Sequence, residues 1–430
     1  MKLYSHQERA LKLTENMNRV AYYHDMGLGK TFTGAEKMMR LGANVNLVIC
    51  QKSKVDDWLN HFKEHYMYNK QFIITYDLTK KKEFEMFINN CECVCGRFVG
   101  IINYELAFRR KELLKLHDFT LMLDESSLIQ NKKAKRTKFI LKMDVANVIL
   151  LSGTPTSGKY ENLWSQIHLL GWNIKEETYQ KQYVNRVLIE DGMGFKHKVV
   201  SKRDPYKNVE RLKAKMREHG AHFMKTEECF ELPEQVFIQI KVPTSKEYRR
   251  FDKKSIVTID GVELVGDTQL TKRMYKRMLC GQYSKEKLEA FKELAESTKD
   301  RLIVFYNFND ELQRLKVIAE ELERPISEVN GNVKDLTAYE NESDSITFVQ
   351  YQAGAMGLNL QKANKIVYFT VAQSSELFEQ SKKRTHRIGQ TKTCFYYTML
   401  CEKSIEEEDI LRTLKIRKDY TDELFREKLR

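Results

Sequence analysis

Short apolar runs alternate with amphipathic stretches over the first part of the chain. Val20–Tyr23, Val45–Cys50, Phe98–Asn103, Phe119–Glu125 and Asn147–Gly153 are each a few residues long and rich in bulky or β-branched side chains. Each is followed by polar or helical sequence, and that combination predicts buried strands alternating with helices. Such a rhythm gives a parallel α/β sheet, whose functional loops lie beyond the carboxyl ends of the strands. After Trp172 the rhythm breaks. Residues 173–232 are highly charged and mostly helical in pattern, punctuated by Asp191-Gly192-Met193-Gly194 and Asp204-Pro205. Val236–Val242 predicts a strand, and a second basic, helical tract runs from about Ser245 to Ser297. The rhythm returns with Arg301–Asn307, Ser345–Tyr351 and Asn364–Thr370. The expected fold class is α/β, with two parallel-sheet lobes and helical insertions between them. The expected boundaries are 1–171 for the first lobe, 172–232 for a charged insertion and linker, and 233–430 for the second lobe, including the basic segment at 245–297.

Composition narrows the class without naming a task. The 430 residues suffice for two or three cores, and a 42% hydrophobic content excludes a wholly disordered chain. No apolar run is long enough to predict a transmembrane helix, and the polar start MKLYSHQERALKL lacks the centre of a secretory signal. Eight Cys in this length do not suggest a disulfide scaffold, so a reducing cytoplasm is expected. The net charge of +13 points to polyanionic partners, though charge alone is a weak warrant.

Three strings carry chemistry. His24-Asp25-Met26-Gly27-Leu28-Gly29-Lys30-Thr31 follows an apolar run and opens a helical stretch. Gly27 and Gly29 let backbone N–H groups curl around phosphate oxygens, Lys30 reaches the β- and γ-phosphates, and the Thr31 hydroxyl suits Mg²⁺. A Gly-rich turn with a chance lysine is the alternative. Asp124-Glu125 ends a strand, placing Asp124 to hold the Mg²⁺ shell and Glu125 to take a proton from attacking water. Ser152-Gly153-Thr154-Pro155 ends the next predicted strand, where Ser152 and Thr154 would relay the nucleotide state by switching hydrogen bonds; an ordinary turn is the alternative. In the second lobe, Arg384 and Arg387 stand three residues apart, on one face if the segment is helical. A guanidinium pair suits γ-phosphate charge, whereas a solvated basic helix is the alternative.

Taken in order, these strings resemble the Swi/Snf-type branch of superfamily-two helicase-like ATPases, in particular its compact bacterial or phage members. DMGLGKT is similar to the family's phosphate loop, which also lacks a leading Gly. Leu3 and Gln7 resemble its adenine-reading glutamine motif, with Tyr4-Ser5-His6 replacing the usual Arg-Pro-Tyr. Cys50-Gln51-Lys52-Ser53 with Trp58, Asn103-Tyr104-Glu105, and Asp124-Glu125-Ser126-Ser127 with Ile129 and Asn131 resemble the next motifs, with Ser127 where the family has His. Leu163-Trp164 follows the Thr-Pro turn as in the family, and Leu232-Pro233 resembles the linker before the second lobe. Ala353 to Leu360 matches Ala-Gly-x-x-Gly-x-Asn-Leu, and Arg384 to Gln390 matches Arg-x-His-Arg-Ile-Gly-Gln, the most specific string.

The resemblance implies two RecA-like lobes that hydrolyse ATP with Mg²⁺ and translocate on duplex DNA. It implies arginine fingers at Arg384 and Arg387, nucleotide contacts at Gln7, Gly357 and Gln390, and coupling through Asn359. Lys52 and Ser53 would touch DNA. Basic tracts at 131–138, 196–217 and 272–277 offer further DNA contacts, including Lys132, Lys133, Lys272, Arg273, Lys276 and Arg277. A solvated helix face is the alternative for each tract. Contacts are expected to phosphates rather than bases.

The expected protein is thus a monomeric DNA-dependent ATPase of a bacterial or phage-infected cytoplasm, acting on duplex or branched DNA. Two alternatives stay open: a strand-separating or branch-migrating helicase, although no strand-splitting hairpin stands out, and a nucleotide-switched DNA-binding protein with slow hydrolysis. Cys91, Cys93 and Cys95 form the sole metal-like string, and free thiols explain it better than zinc. Trp58, Trp164 and Trp172 fit a core better than a nucleic-acid platform.

Overall fold

The structure, a computed structural model, describes residues 2–66, 73–91, 96–190, 194–354 and 358–426. The chain divides into two compact units, the first comprising Met1–Cys229 with Asp419–Arg430 and the second Phe230–Lys418.

In the first unit the strands are β1 (Arg19–His24), β2 (Val45–Cys50), β3 (Ile73–Asp77), β4 (Arg97–Asn103), β5 (Phe119–Asp124), β6 (Val145–Leu151), β7 (Arg186–Glu190), β8 (Lys196–Val200) and β9 (Ala221–Met224). Seven of them form one sheet in the order β3-β4-β2-β5-β6-β1-β9, and every pairing in it is parallel. All six residues of β2 are buried, as a strand covered by helices on both faces requires. The register decides where the chemistry falls: Leu151 at the end of β6 pairs with Tyr22 of β1 on one side and Asp124 of β5 on the other. The loops leaving β1, β5 and β6 are therefore neighbours.

The charged stretch at 172–232 contains helices at Glu176–Tyr183 and Val209–Glu218. It also forms an antiparallel hairpin, β7–β8, and supplies the edge strand β9. The runs RVLIE and KHKVV carry enough β-branched residues to pair as strands once the chain turns back on itself; the turn residues Asp191, Gly192 and Met193 lie outside the described residues. The C-terminal stretch from Asp419 completes this unit. Leu424 and Phe425 join its core, the Tyr160 hydroxyl donates to the Tyr420 carbonyl at 2.6 Å, and Lys213 bridges Glu210 and Glu423 at 3.0 and 2.9 Å.

The second unit holds β10 (Gln235–Val242), β11 (Ile256–Ile259), β12 (Val262–Val265), β13 (Leu302–Tyr306), β14 (Ile326–Val329), β15 (Lys334–Asp335), β16 (Ile346–Gln350), β17 (Lys365–Tyr368) and β18 (Cys394–Cys401). Its seven-stranded sheet runs β10-β18-β17-β13-β16-β14-β15 and is parallel except for the short β14–β15 pair. Within the basic tract, β11 and β12 form a hairpin around Asp260 and Gly261, both with positive φ, the turn that an Asp-Gly pair favours. The α/β class with two parallel-sheet lobes is the one expected. Among the described residues no helix is long and apolar enough to cross a membrane.

Candidate functional site

In the first unit the site grows from the ends of three adjacent strands. After β1 the chain turns through Gly27 (φ 89°) and Gly29 (φ 67°), and Gly29 caps the helix Lys30–Leu41. A side chain at Gly29 would put its Cβ 2.4 Å from Nε2 of Gln7, so the position needs glycine for space as well as for backbone. Gln7 is buried and presses on this loop: its amide donates to the Gly29 and Leu28 carbonyls at 3.1 and 3.4 Å, and its oxygen accepts from the Tyr4 N–H at 2.9 Å. Lys30 folds back over the loop, with Nζ donating to the carbonyls of His24 and Asp25 at 2.8 and 3.1 Å. Thr31 follows in the first turn of the helix.

At the end of β5, Asp124 and Glu125 have different surroundings. The Trp58 indole N–H donates to Asp124 Oδ2 at 2.9 Å, and the Tyr104 hydroxyl donates to the Asp124 carbonyl at 3.0 Å. Burial holds the Asp124 carboxyl above the usual aspartate range, while the Trp58 bond and the Lys30 charge pull it back. Glu125 adopts a left-handed backbone (φ 56°, ψ 61°), a conformation non-glycine residues occupy at a cost and which here turns its side chain off the strand line. Its Oε1 accepts from Ser152 at 2.7 Å and from Ser127 at 3.0 Å.

The third strand end, after β6, closes the set. Ser152 Oγ also accepts from the Thr154 N–H at 3.1 Å, so one hydroxyl joins Glu125 to the Thr-Pro turn. A Cβ at Gly153 would lie 3.5 Å from Lys30 Nζ and 3.3 Å from Met26 Cγ, which sets this turn directly against the first loop. Thr154 is buried, and its hydroxyl has no hydrogen-bond partner among the described residues. Side-chain amides also tie the turn of the acidic pair to the Thr-Pro turn. The Pro155 carbonyl accepts from Gln166 Nε2 at 2.7 Å and Gln130 Nε2 at 3.0 Å, and the Gln166 oxygen accepts from Ser126 at 2.8 Å and Tyr23 at 3.0 Å. Gln166 was missed from sequence. The available signal was an amide on the buried face of a short helix, where it must find partners.

Other expected residues have these places. Lys52 and Ser53 are exposed in the turn after β2, on the edge that carries the three loops. Lys132 pairs with Glu176, and Lys133 is exposed. Trp58 is almost fully buried and serves Asp124.

In the second unit, Arg384 and Arg387 follow the helix Ser375–Lys382 in a run of turns, not on its face. The Arg384 N–H pairs three residues back with the Ser381 carbonyl at 3.3 Å. The His386 ring is pinned to the Pro233 carbonyl at 2.8 Å and Gln235 at 2.9 Å, drawing the chain away from a continued helix. Arg384 Nη1 reaches the Leu358 carbonyl at 3.5 Å, and burial lowers the Arg387 pKa. Gln390 spends its amide on backbone: Nε2 donates to Gln361 and Ala363 carbonyls at 3.0 Å, and Oε1 accepts from the Thr391 and Lys392 N–H groups. Asn359 is exposed between buried Leu358 and Leu360, whereas Gly357 lies outside the described residues.

On the helix Gln269–Cys280, Arg273 approaches Glu406 at 3.5 Å, Lys276 pairs with Asp252, and Lys272 packs along Gly266. Arg277 sits over the Phe308 ring at 5.2 Å and donates to the Val371 carbonyl at 3.4 Å. Residues 92–95 of the Cys string lie outside the described residues. Among the described residues, Cys280, Cys401 and Glu407 do form a buried trio, but Lys287 already neutralises Glu407 at 2.6 Å.

Comparison with known proteins bears on the family. The SNF2-related domain family matches residues 6–298, and the helicase conserved C-terminal domain matches residues 286–389. The chain is similar to the SWI/SNF-related matrix-associated actin-dependent regulator of chromatin subfamily A member 1 of Mus musculus, at 23% identity over 95% of this chain and 42% of that protein. It is also similar to the uncharacterized ATP-dependent helicase YqhH of Bacillus subtilis, at 23% identity over 95% of this chain and 76% of that protein. The chain thus spans about two-fifths of the length of the mouse relative, at 42%. Among solved structures, the Sulfolobus solfataricus SWI2/SNF2 ATPase core in complex with dsDNA is 17% identical with a TM-score of 0.44, covering 98% of this chain and 92% of that one. Since the SNF2-related match alone spans well over half the chain, the protein belongs to the SNF2-related family of helicase-like proteins.

Proposed function

We propose that this protein is a DNA-dependent ATPase that couples ATP hydrolysis to movement on duplex DNA. The observation that carries the reading is the convergence of Lys30, Asp124, Glu125 and Ser152 on one sheet edge. The Gly27–Gly29 loop and the helix N-terminus behind it receive phosphate oxygens. Lys30, which donates to the His24 and Asp25 carbonyls, turns its ammonium to phosphate oxygens when nucleotide binds. Gln7 holds the loop in shape from behind. Glu125 orients water and accepts its proton. Ser152 reports the state of Glu125 to the Thr-Pro turn.

The donor set suits magnesium, which takes few protein ligands, all oxygen: the Asp124 carboxylate at a strand end and the Thr31 hydroxyl in the facing first turn would hold it. When bound, Mg²⁺ supplies charge neutralisation on the β- and γ-phosphates. The hydroxyl of buried Thr154, without a partner among the described residues, also leaves a polar group for a ligand to satisfy. Arg384 and Arg387 answer the charge that develops on the transferred phosphoryl group. The test is phosphate release with duplex DNA, single-stranded DNA and RNA. Stimulation by duplex DNA is expected, and none by any duplex would overturn the reading.

A specific observation favours strand separation as a second reading. The β7–β8 hairpin stands outside both large sheets, with Leu188 and Phe195 exposed and Arg186, Lys196 and Lys198 along it. Apolar and aromatic side chains beside cations suit unpaired bases and their phosphates. Forked-duplex displacement that disappears when Leu188 and Phe195 become Ser supports this reading; displacement unaffected by those changes rejects it.

A further inference from the structure

The phosphate loop is held along one side by a segment from the charged stretch. β9 lies parallel to β1, with His222 opposite Tyr22 and Met224 opposite His24. His24 Nε2 and His222 Nδ1 share a hydrogen bond of 2.8 Å. The Asp25 N–H donates to the Met224 carbonyl at 2.9 Å, and the Asp25 carboxylate accepts from the Thr226 N–H and hydroxyl at 3.2 and 3.3 Å. His24 and Asp25 are the two residues whose carbonyls hold Lys30. The stretch 222–226 therefore fixes the peptide units on which the lysine rests.

The intervening residues of the same stretch face the C-terminal segment. The Phe223 ring packs against Phe425 with centroids 5.3 Å apart, and Lys225 pairs with Asp422 at 2.9 Å. Arg217 covers the Phe223 ring at 4.9 Å. The chain leaves the first unit after Cys229 and re-enters it at Asp419.

We propose that His222 and Thr226 are positioning residues for the phosphate loop, and that the C-terminal segment tunes nucleotide affinity through Phe223 and Lys225. The inference rests on the reading of that loop as the nucleotide site. One lost hydrogen bond of this kind is worth about a fivefold change in an equilibrium. Thr226→Val removes the hydroxyl and keeps the N–H, so it raises the KM for ATP about fivefold with kcat within twofold, and Thr226→Ser restores it. His222→Phe acts in the same direction. Asp422→Asn and Phe425→Ala, which leave the loop's own contacts untouched, raise KM about two- to fivefold.

The experiment measures KM and kcat of the full chain for these variants, with melting temperatures alongside and Lys30→Ala as reference. A KM rise in Thr226→Val that Ser reverses, shared in part by Asp422→Asn, supports the proposal. If Lys30→Ala is inactive while Thr226→Val and Asp422→Asn keep the parent KM, the positioning role is overturned alone. If Lys30→Ala retains turnover, the nucleotide reading falls first. A loss of melting temperature with unchanged KM also overturns the proposal, since it marks a purely structural contact.

Discussion

The phosphate loop of the first unit and the arginine turn of the second are both made by short loops leaving strands or helices, yet they are built in opposite ways. In the first, the functional side chains are themselves the bonded groups: Ser152 to Glu125 across two strand ends, Asp124 to Trp58 of a neighbouring helix, and Lys30 to the backbone of its own loop. In the second, the bonding belongs to the scaffold. Gln390 knits backbone, His386 anchors to Pro233, and the two arginines ride on the turn so formed. A network of coupled polar groups fails when one member is lost, whereas a scaffolded cation can be removed with the rest of its unit intact. The comparison separates residues expected to act together from residues expected to act one at a time.

The largest effect tests the first region. Lys30→Ala and Glu125→Gln should each lower DNA-stimulated phosphate release by at least about a hundredfold, because the first removes the cation directed at the reacting phosphate and the second the base that takes the proton of the attacking water. Their double variant should be scarcely worse than either single one; additive losses would break the picture of a coupled network. Next, Arg384→Ala and Arg387→Ala should each cost about a hundredfold in kcat while ATP binding, measured by equilibrium titration, stays near the parent value. Parallel loss of binding and turnover would instead place these arginines in ground-state binding.

Smaller effects sharpen the contrast. Gln390→Ala should destabilise the protein by about 1–3 kcal/mol through unsatisfied backbone groups, read from denaturant unfolding. Trp58→Phe tests the electrostatics of the acidic pair. The indole N–H favours ionised Asp124, so its removal raises that pKa further and moves the acid limb of the pH–rate profile to higher pH. An unmoved limb would show that Asp124 ionisation does not control turnover. The smallest change is expected from Lys132→Ala. Its ammonium is already paired with Glu176, so the salt dependence of DNA affinity should shift little, and less than on replacing exposed Lys133, which has no ion pair among the described residues.

Particular residues show how far the sequence could be read. The run Val45–Cys50 was legible as a strand to the residue, since burial on both faces leaves an unbroken apolar string. β9 was not: Ala221–Met224 is short, carries a histidine, and sits in charged surroundings. Its strand character comes from pairing with β1, a contact nearly two hundred residues away in sequence. The Asp260-Gly261 hairpin had a local signal that a helical reading of the basic tract obscured. Lys30, Asp124, Glu125 and Ser152 could be picked out as candidates because loop chemistry is written in local strings. Gln166 and His222 were hidden because a buried amide or imidazole gains meaning only from its partner.

The sequence by itself determined the α/β class, the order of the motifs and the kinds of side chain available, because strand periodicity, glycine turns and charge are local properties. That the three strings would share one sheet edge was already implied by the strand rhythm; only the tertiary structure decided the register by which they meet, with Leu151 between Tyr22 and Asp124. It also decided that the helix before Arg384 ends at Lys382, that His222 of β9 bonds His24, and that Phe425 of the C-terminal segment packs on Phe223. Those outcomes depend on which strands pair and which polar groups must be satisfied when buried, and pairing is a property of the folded chain rather than of any segment within it.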